Sequence, residues 1–409
     1  MAKVKVAAVG AGNRMNAYSE YARIHPEEME IVAVVEPNDV RREQYSRRFG
    51  IPVTACYSAW EDFLSLPKQA DALFLCTPDS LHYQPAIRAL EKGYDILLEK
   101  PIARTWEECA AIVAKARELN RIVSVCHVLR YHPYFVRLKE ILESGVLGEI
   151  ISVNHVEAVG IERMTHAFVR GLWRKEEETN PMILSKACHD LDLLVWLTGK
   201  KCTDVSSYGS LKWFCEKNAP QGSTERCIDG CAVEQECPFS ACALYLRRKR
   251  WLRHFDIPEG GDPEPYILRE LKEGPYGRCV YRCDNDVVDH QVVSMQMEDG
   301  ITVSFSMDGF TKEGGRKTHV MCSRGEVCGD EKNLTVRYFD ARPDETYDFS
   351  AYYGECNFHG GADLNIIGDF IQAVRTGNAA FLRTDIETSL ESHRIAFEIE
   401  KQRKGITAR

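Results

Sequence analysis

Residues 4–15 read VKVAAVGAGNRM, an apolar run that ends in a glycine-rich turn. The run from Val4 to Val9 shows no polar alternation, as expected for a parallel strand that is covered on both faces. Gly10 and Gly12 follow directly, where a dinucleotide-binding fold needs one glycine for a tight turn and another for close approach to a pyrophosphate. Met15 stands at the third glycine position of G-x-G-x-x-G, so the sequence predicts this fold from a partial match.

The remainder of the first 125 residues contains further apolar runs of the same kind. Four further apolar runs occur at 31–35, 72–76, 96–98 and 122–125. Stretches with helical periodicity separate most of these runs. The alternation predicts a Rossmann domain over residues 1–125, built on a doubly wound parallel sheet.

Glu36 ends the second apolar run, 24 residues beyond Gly12. At this place an acidic side chain can accept hydrogen bonds from the adenosine ribose hydroxyls and repel a 2′-phosphate. The sequence therefore favours NAD as the cofactor. Arg41 could instead bind the phosphate, which leaves NADP as the less favoured alternative.

Beyond residue 125 the pattern changes to alternating apolar and polar positions. Such runs occur at 150–157, 287–297, 301–307, 319–322 and 334–339, and helical patterns at 132–144, 184–197, 364–376 and 385–404. These runs predict a second, α+β domain over residues 126–409, with a mainly antiparallel open sheet and helices on one side. Residues 211 to about 278 have little periodicity and many Cys, Gly and Pro, which indicates an insertion.

Composition argues against several classes of protein. The 409 residues carry 52 Lys and Arg against 61 Asp and Glu, a net charge of −9, which does not favour a nucleic-acid partner. No apolar run reaches the roughly 18 to 20 residues that span a bilayer, and the N-terminus lacks the apolar core of a signal peptide. We expect a cytoplasmic protein with no membrane partner, in which most of the 16 cysteines are small buried hydrophobes.

Two proline turns follow later strands of the predicted parallel sheet. Thr77–Pro78, with His82 after it, and Glu99–Pro101 lie at the carboxyl edge, where open α/β folds bind ligands. With His189 in the stretch 188–192, these turns resemble the Gfo/Idh/MocA oxidoreductase family, named for glucose-fructose oxidoreductase and inositol dehydrogenase. The resemblance extends over nearly the whole chain apart from the insertion, and the Glu-Lys-Pro turn is its most specific element.

The resemblance implies a catalytic pair. Lys100 would hydrogen-bond the substrate hydroxyl near the nicotinamide, and His189 would relay the proton that is lost as an alcohol becomes a ketone. A base for the hydroxyl is required whenever hydride leaves its carbon, and histidine titrates near neutral pH. The residues expected to bind the cofactor are Gly10, Gly12, Asn13, Arg14, Met15, Glu36, Thr77, Pro78, His82, Glu99 and Lys100.

One position departs from the family pattern. Dehydrogenases of the family commonly carry an Asp four residues before the histidine, and this chain has Ser185 there, followed by Lys186. Either Asp190 or Asp192 takes over part of the role of that Asp, or Lys186 changes how the substrate is held. The acid–base assignment is therefore less simple than in the family.

Polar and aromatic side chains near these positions are candidates for binding a polyhydroxylated substrate. Sugar sites combine charged hydrogen-bonding groups with an aromatic face. The candidates are Arg130, His155, His166, Arg170, Trp173, Lys186 and Asp190.

The insertion carries a cluster of cysteines. Cys227, Cys231, Cys237 and Cys242 lie within 16 residues, and Cys279 follows as an alternative fourth ligand. Thiolates select zinc or iron–sulfur centres. We expect a structural zinc ion, although no C-x2-C spacing is present, and buried thiols without a metal are the alternative.

The sequence as a whole predicts an NAD-dependent oxidoreductase that acts on a sugar, polyol or glycoside. The family resemblance also implies a homodimer or homotetramer assembled through the antiparallel sheet. Two other functions stay open: a glycoside hydrolase that oxidises its sugar transiently with tightly bound NAD, and a catalytically silent NAD-binding regulator.

Overall fold

The first of two β-sheets is parallel and has six strands. A computed structural model describes residues 3–258, 260–352 and 358–406 of the chain. The strands are Val4–Val9 (β1), Met29–Val35 (β2), Cys56–Tyr57 (β3), Ala72–Leu75 (β4), Asp95–Leu98 (β5) and Val123–Val125 (β6). Their order is β3-β2-β1-β4-β5-β6, which confirms the predicted doubly wound sheet. The sequence did not indicate the two-residue strand β3.

Both faces of this sheet are buried, which explains the continuous apolar runs. Val6 and Ala8 point into one core, whereas Ala7 and Val9 point into the core on the opposite face. The helices of this half are Asn13–Ile24 (α1), Asp39–Phe49 (α2), Trp60–Ser65 (α3), Tyr83–Glu91 (α4) and Trp106–Glu118 (α5).

The second sheet has eight strands and is mainly antiparallel, as predicted. The strands are Ile150–Ala158 (β7), Cys202–Ser210 (β8), His290–Met297 (β9), Thr302–Asp308 (β10), Gly315–Cys322 (β11), Gly325–Gly329 (β12), Asn333–Tyr338 (β13) and Glu345–Asp348 (β14). Within the described residues their order is β14-β13-β12-β11-β7-β10-β9-β8, and β7 and β10 form the one parallel pair. The sequence did not indicate β8, β12 or β14, because these strands are short or polar and carry little apolar alternation.

The remaining helices belong to the second half of the chain. They are Pro133–Glu143 (α6), Ile161–Arg163 (α7), Met182–Ser185 (α8), Cys188–Thr198 (α9), Glu264–Lys272 (α10), Ala362–Thr376 (α11) and Ile386–Arg403 (α12). Helix α11 returns to the first sheet, where Ile366 and Phe370 join the core that contains Val6. The C-terminal segment thus covers one face of the sheet formed by the N-terminal segment. None of the helices that the structure describes is both long and apolar enough to cross a membrane.

The helix predicted over 184–197 is wrong in one respect, because it is two helices. α8 ends at Ser185 and α9 begins at Cys188, with Lys186 and Ala187 between them. The break leaves the Ser185 carbonyl oxygen to accept a hydrogen bond from Lys100 Nζ at 2.6 Å. A contact with the first sheet therefore replaces a hydrogen bond within the helix.

The insertion folds around a small core of its own. Its buried side chains come from the segment 241–255 and from α10, with Tyr245, Phe255 and Ile267 among them. The predicted boundary near residue 278 lies close to the start of the chain that leads into β9.

A buried ion pair joins the chain after β6 to α9. Arg130 Nε and Nη2 donate to the two carboxylate oxygens of Asp192, each at 2.7 Å, and Arg130 Nη1 donates to the Arg383 carbonyl at 2.8 Å. Both side chains are buried. Arg130 was predicted to bind substrate. Its guanidinium instead binds α9 and the segment that precedes α12, and so holds both against the first sheet.

We expect Asp192→Asn to destabilise the protein by about 3 to 5 kcal/mol, because it leaves a buried guanidinium without its counter-charge. The measurement is the midpoint of urea unfolding followed by circular dichroism. Asp204→Asn, at an exposed position of β8, is the control and should leave the midpoint unchanged. Equal midpoints for the two variants would contradict the assigned role of the pair.

Candidate functional site

The glycine-rich turn has the shape that a dinucleotide requires. Gly10 has φ +85°, and a Cβ there would lie 2.6 Å from the Cys76 carbonyl oxygen, so glycine is obligatory. A Cβ on Gly12, by contrast, would meet nothing within 4 Å. Gly12 also caps α1, whose first residue is Asn13, so open space lies beside a helix N-terminus. These features fit a pyrophosphate.

Glu36 is anchored beside this turn. Its Oε2 accepts a hydrogen bond from the Ala11 backbone N–H at 2.7 Å, and its Oε1 accepts one from the Asn38 N–H at 3.0 Å. Two backbone donors hold the carboxylate at the carboxyl end of β2, the place where a ribose would bind.

The insertion reaches the same end of the sheet. Asp256 Oδ1 lies 2.7 Å from Arg41 Nη2 and also accepts from Arg41 Nε, while Asn38 Nδ2 donates to Asp256 at 3.4 Å. Asp256 therefore neutralises the one arginine that the sequence offered for a 2′-phosphate. This arrangement favours NAD over NADP.

Arg14 and Met15, both predicted to bind the cofactor, support the turn from beneath. Met15 is completely buried in the core below α1. Arg14 Nε donates to Glu99 Oε1 at 2.9 Å and Arg14 Nη2 donates to Asp363 at 2.7 Å. Arg14 thus links the glycine turn to the Glu-Lys-Pro turn and to α11.

The turn that carries Lys100 is held from several sides. Glu99 Oε2 accepts from the Lys100 backbone N–H at 2.8 Å. Burial acts to raise the pKa of Glu99, but Arg14 and Lys100 outweigh it and lower that pKa. His393 Nε2 accepts from the Ile102 N–H at 2.9 Å, and burial together with His127 lowers the pKa of His393 to about 3.

His82 connects the two proline turns. It is completely buried, and its Nδ1 lies 2.7 Å from the Pro101 carbonyl oxygen while Nε2 lies 3.1 Å from that of Thr77. The ring therefore bridges the turn 77–78 and the turn 99–101 and fixes the distance between them. His82 acts on the site through the backbone of these turns.

The Lys100 side chain contacts the segment of chain that precedes His189. Lys100 Nζ is bound to the Ser185 carbonyl, and His189 is the second residue of α9. The His127 ring lies 5.8 Å from the His189 ring and 5.7 Å from the His393 ring, so it is buried between them. Burial, and then the charges of Arg130 and Lys100, lower the pKa of His127, so this ring is a neutral wall of the site.

A network of charged side chains lies next to this group. Lys186 Nζ pairs with Glu157, and Arg316 Nη2 pairs with Glu157 at 2.8 Å. Arg316 Nε donates to Asp190 Oδ1 at 2.6 Å, and His155 Nε2 lies 3.0 Å from the same oxygen. Burial lowers the pKa of Lys186. Burial acts to raise the pKa of Asp190, but Arg316, His155 and Lys186 together outweigh it and lower that pKa.

Three of the predicted substrate-binding residues, Lys186, His155 and Asp190, meet in this network. Arg316 completes it and was missed by sequence reasoning. Its only signal was its position on β11, two residues before Thr318 on the buried face of the strand. Such alternation predicts burial, but it does not predict which strands lie opposite.

The other predicted substrate-binding residues contact different parts of the structure. His166 stacks on Tyr276, with ring centroids 4.6 Å apart, and burial lowers its pKa to about 2. Arg170 donates to the Arg278 and Phe239 carbonyls, each at 2.7 Å, and Trp173 packs against Phe168. These residues hold the insertion and the second core, so their predicted role in substrate binding is not supported.

The predicted zinc site is also not supported. Of the cysteines that the structure describes, no three bring their sulfur atoms within 4.8 Å of one another, whereas four thiolates around one zinc ion lie about 3.8 Å apart. Cys242 is buried in the core of the insertion. The sulfur atoms are therefore too widely spaced for a single tetrahedral ion.

Two family models match the chain in sequence. An oxidoreductase family with an NAD-binding Rossmann fold matches residues 4–127, and the C-terminal alpha/beta domain of the same family matches residues 139–395. The chain belongs to the Gfo/Idh/MocA oxidoreductase family. The family resemblance stated from the two proline turns and His189 is confirmed.

Relatives within the Gfo/Idh/MocA family are distant. The oxidoreductase YteT of Bacillus subtilis is 20% identical over 71% of this chain and 67% of its own length. Oxidoreductase P35 of Formosa agariphila is 31% identical over 35% of this chain and 44% of its own length. The NAD-dependent scyllo-inositol 2-dehydrogenase of Bacillus subtilis is 26% identical over 44% of this chain and 50% of its own length. The chain thus spans about half to two thirds of these relatives.

Solved structures of similar fold cover nearly the whole chain. An inositol dehydrogenase homologue from Azotobacter vinelandii, in complex with NADH and myo-inositol, has a TM-score of 0.70 at 17% identity and covers 98% of this chain and 96% of its own. The WlbA dehydrogenase from Bordetella pertussis, in complex with NADH and UDP-GlcNAcA, has a TM-score of 0.68 at 17% identity and covers 99% of this chain and 96% of its own. At these identities the likeness concerns the fold.

We expect the protein to bind NADH more tightly than NADPH. Glu36→Ala should reduce the ratio of NADH affinity to NADPH affinity by roughly tenfold. The reason is that hydrogen bonds to a charged group contribute about 1.5 to 3 kcal/mol. Asp256→Asn should raise NADPH affinity by up to about fivefold, because an exposed ion pair contributes about 1 kcal/mol or less and its loss makes Arg41 available. Titration calorimetry with both cofactors measures these changes.

Asp262→Asn, an exposed position of the same insertion, is the matched control and should change neither affinity. Equal binding of NADH and NADPH by the unmodified protein would reject the assignment of Glu36.

Proposed function

We propose that this chain is an NAD-dependent dehydrogenase of a sugar, polyol or glycoside. One observation carries the proposal: the Lys100 amine, on the carboxyl edge of the parallel sheet, points at the break before α9 that precedes His189. The family match and the glycine-rich turn, which has the geometry for a pyrophosphate, support NAD as the cofactor. The charged network of Glu157, Lys186 and Arg316 supports a substrate with several hydroxyl groups.

In this proposal the substrate hydroxyl lies between Lys100 and His189. NAD, held by the turn at Gly10 and Gly12 and by Glu36, would supply the oxidising power by accepting a hydride from the carbon that bears the hydroxyl. Lys100 would donate a hydrogen bond to the hydroxyl oxygen and stabilise negative charge that develops on it. His189 would accept the hydroxyl proton.

Of the remaining predicted cofactor residues, some contact the cofactor in this proposal and others hold the turns in place. Asn13 begins α1 and offers its backbone N–H to the pyrophosphate. Thr77 and Pro78 form the strand-end turn against the cofactor, while Arg14, Met15, His82 and Glu99 set the positions of the two turns. The proposed domain division is the predicted one, residues 1–125 for the cofactor and 126–409 for the substrate.

Ser185 gives this site a different acid–base arrangement from that of the family pattern. The Ser185 backbone carbonyl, rather than a carboxylate side chain, accepts the hydrogen bond of Lys100. Glu157 and Asp190, in the charged network beside the site, are paired with Lys186 and Arg316. We propose that proton transfer runs through His189, with Lys186 and Glu157 binding substrate hydroxyls.

A second candidate is a glycoside hydrolase that keeps its NAD bound and oxidises the sugar only transiently. The contact of Asp256 with Arg41 favours it, because the insertion then restrains the adenosine end of the cofactor cleft. Incubation with NAD and a panel of free sugars, polyols and aryl glycosides separates the candidates. Net NADH indicates a dehydrogenase, released aglycone without NADH indicates the hydrolase, and NAD binding without turnover indicates a silent regulator.

We propose a cytoplasmic homodimer or homotetramer. All 15 described cysteines are free thiols, in keeping with a reducing compartment. One face of the eight-stranded sheet is exposed, and it carries apolar side chains at Tyr208, Val292 and Ile151. Tyr208 and Val292 lie directly opposite each other on β8 and β9. An uncovered apolar sheet face of this kind is suited to a second copy of the chain.

We expect Lys100→Met to reduce kcat by about 10² to 10⁴-fold on the substrate found in the panel, because the group that orients the hydroxyl is lost. NADH binding should stay within about twofold, since Glu36 and the glycine turn hold the dinucleotide. His189→Asn should reduce kcat less if water or Lys186 can pass the proton. Stopped-flow turnover and calorimetry measure the two quantities.

Lys115→Met, on α5 and paired with Glu118, is the matched control and should keep wild-type kinetics. Near-normal turnover by folded, cofactor-bound Lys100→Met would refute the catalytic proposal.

We expect the protein to have a solution mass of two or four times 46.5 kDa by light scattering coupled to gel filtration. Val292→Asp should shift that mass to the monomer, because a charge on the apolar sheet face must be desolvated in an interface. Val53→Asp, at a fully exposed residue of the first half, is the control and should not change the mass. A monomeric unmodified protein would contradict the proposed assembly.

A further inference from the structure

Helix α7 carries an arginine whose side chain has no polar partner. Within the residues that the structure describes, the Arg163 guanidinium donates no hydrogen bond and forms no ion pair, and its Nε is buried without an acceptor. The guanidinium carbon lies 5.9 Å from the ring centre of Trp251, which belongs to the insertion. Buried N–H donors are normally satisfied by protein, water or a ligand. Arg163 therefore lacks the acceptor that such a group requires.

Trp251 adds a second donor of this kind at the same contact. Its indole Nε1 is buried and has no hydrogen-bond partner among the described residues. Its backbone has φ +63° and ψ +16°, in the left-handed region that a bulky side chain rarely adopts. The indole stacks on His166, with ring centres 5.1 Å apart. Backbone strain of this kind is found at ligand sites, where surrounding contacts maintain it.

The carboxylates next to Arg163 in the chain are engaged with other cations. Glu162 pairs with Arg248, and Glu157 pairs with two cations of the charged network. Burial lowers the pKa of Arg163, the charge of Glu157 opposes that fall, and three further arginines add to it. Those three are Arg14, Arg253 and Arg316. Cations therefore predominate among the charges that act on Arg163, and an added anion would be favoured.

Arg253 brings a second guanidinium to the Trp251 indole. Its guanidinium carbon lies 5.1 Å from the ring centre. Arg253 is exposed, and Arg163 and Trp251 are half-buried, so the contact is open to solvent and to a ligand that approaches from outside. Planar guanidinium groups bind carboxylate and phosphate oxygens through two parallel hydrogen bonds. The contact thus has both the donors and the opening that an anionic group requires.

The contact lies close to both parts of the proposed dehydrogenase site. Glu157 and Arg316 of the charged network act electrostatically on Arg163, and so does Arg14 at the start of α1. Such interactions weaken with distance, so these groups are neighbours. Arg14 in turn donates to Glu99 of the Glu-Lys-Pro turn at 2.9 Å. A sugar that is held by this turn and by the charged network would therefore have one end near Arg163.

We propose that Arg163, Trp251 and Arg253 form a subsite for a negatively charged group of the substrate, a carboxylate or a phosphate. The substrate is then an acidic sugar derivative rather than a neutral sugar or polyol. The inference rests on the proposed function in that a sugar occupies the cleft. The anionic group supplies the acceptor that Arg163 and Trp251 lack, and Arg253 adds a second positive charge. Two of the three residues belong to the insertion, so the insertion takes part in substrate selection.

Binding to the full-length, NADH-loaded protein tests this proposal without turnover. The probes are glucose, glucuronate and glucose 6-phosphate, which differ only in the group at the terminal carbon. We expect glucuronate or glucose 6-phosphate to bind at least about tenfold more tightly than glucose in titration calorimetry, because charge-assisted hydrogen bonds are stronger than neutral ones. The tighter of the two anions identifies carboxylate or phosphate as the preferred group. The indole N–H signal of Trp251 in NMR spectra, assigned with Trp251→Phe, should shift with that anion and not with glucose.

The assignment to Arg163 is tested by two variants and a control. Arg163→Met should abolish the preference for the anion, whereas Arg163→Lys, which keeps the charge but not the planar fork, should retain part of it. NADH affinity serves as the check that each variant is folded. Arg269→Met is the matched control, because Arg269 also lies over an aromatic ring of the insertion, that of Tyr266, but at an exposed position of α10. It should keep the full preference.

Equal affinity for the three probes, or no response to either anion, would overturn the proposal. A preference for the anion that persists in Arg163→Met would overturn it as well. The proposed function is judged separately, by the formation of NADH with the panel of sugars. A dehydrogenase that does not distinguish acidic from neutral sugars contradicts the subsite alone, whereas anion preference without turnover contradicts the dehydrogenase alone.

Discussion

The turn from Glu99 to Ile102 depends on buried hydrogen bonds from three parts of the chain, and the site depends on that turn. Arg14 at the start of α1 binds Glu99, and His82, which precedes α4, contacts the Pro101 carbonyl. His393 on α12 accepts from the Ile102 N–H. A lysine on a free loop would sample many rotamers in water. These constraints instead hold the Lys100 backbone where its amine reaches the Ser185 carbonyl at the end of α8, so the two halves of the chain contribute to one site.

The first half of the fold could be predicted from local sequence, because its signals are local. Val4 to Val9 form a buried strand through composition alone, and Gly10 is required by the nearby Cys76 carbonyl. The second half could be predicted only in outline. The break between α8 and α9 arises because Ser185 and Lys186 bind partners on other elements, and no helical periodicity reports such contacts.

The candidate site shows the same division. Lys100, Glu36 and His189 could be found from turns and strand ends, whereas Arg316, His127 and His393 could not. Arg316 becomes part of the site through the register of β11 against β7, which brings it beside Glu157. His127 and His393 meet because α12 returns to the first sheet across more than 250 residues of sequence. Long-range packing leaves no trace in the spacing of these residues.

Charge balance links the site to the insertion. Glu157 and Asp190 are buried beside Lys186 and Arg316, and each carboxylate has a cationic partner, which is the condition for keeping such charges away from water. A hydroxyl group entering this network exchanges hydrogen bonds with groups that their partners already orient, so little reorganisation is required. Asp256 pairs with Arg41 at the surface. The insertion thus places Asp256 at the cofactor end of the cleft, while Arg170, which precedes the insertion in sequence, lies against the Cys227 sulfur of the insertion.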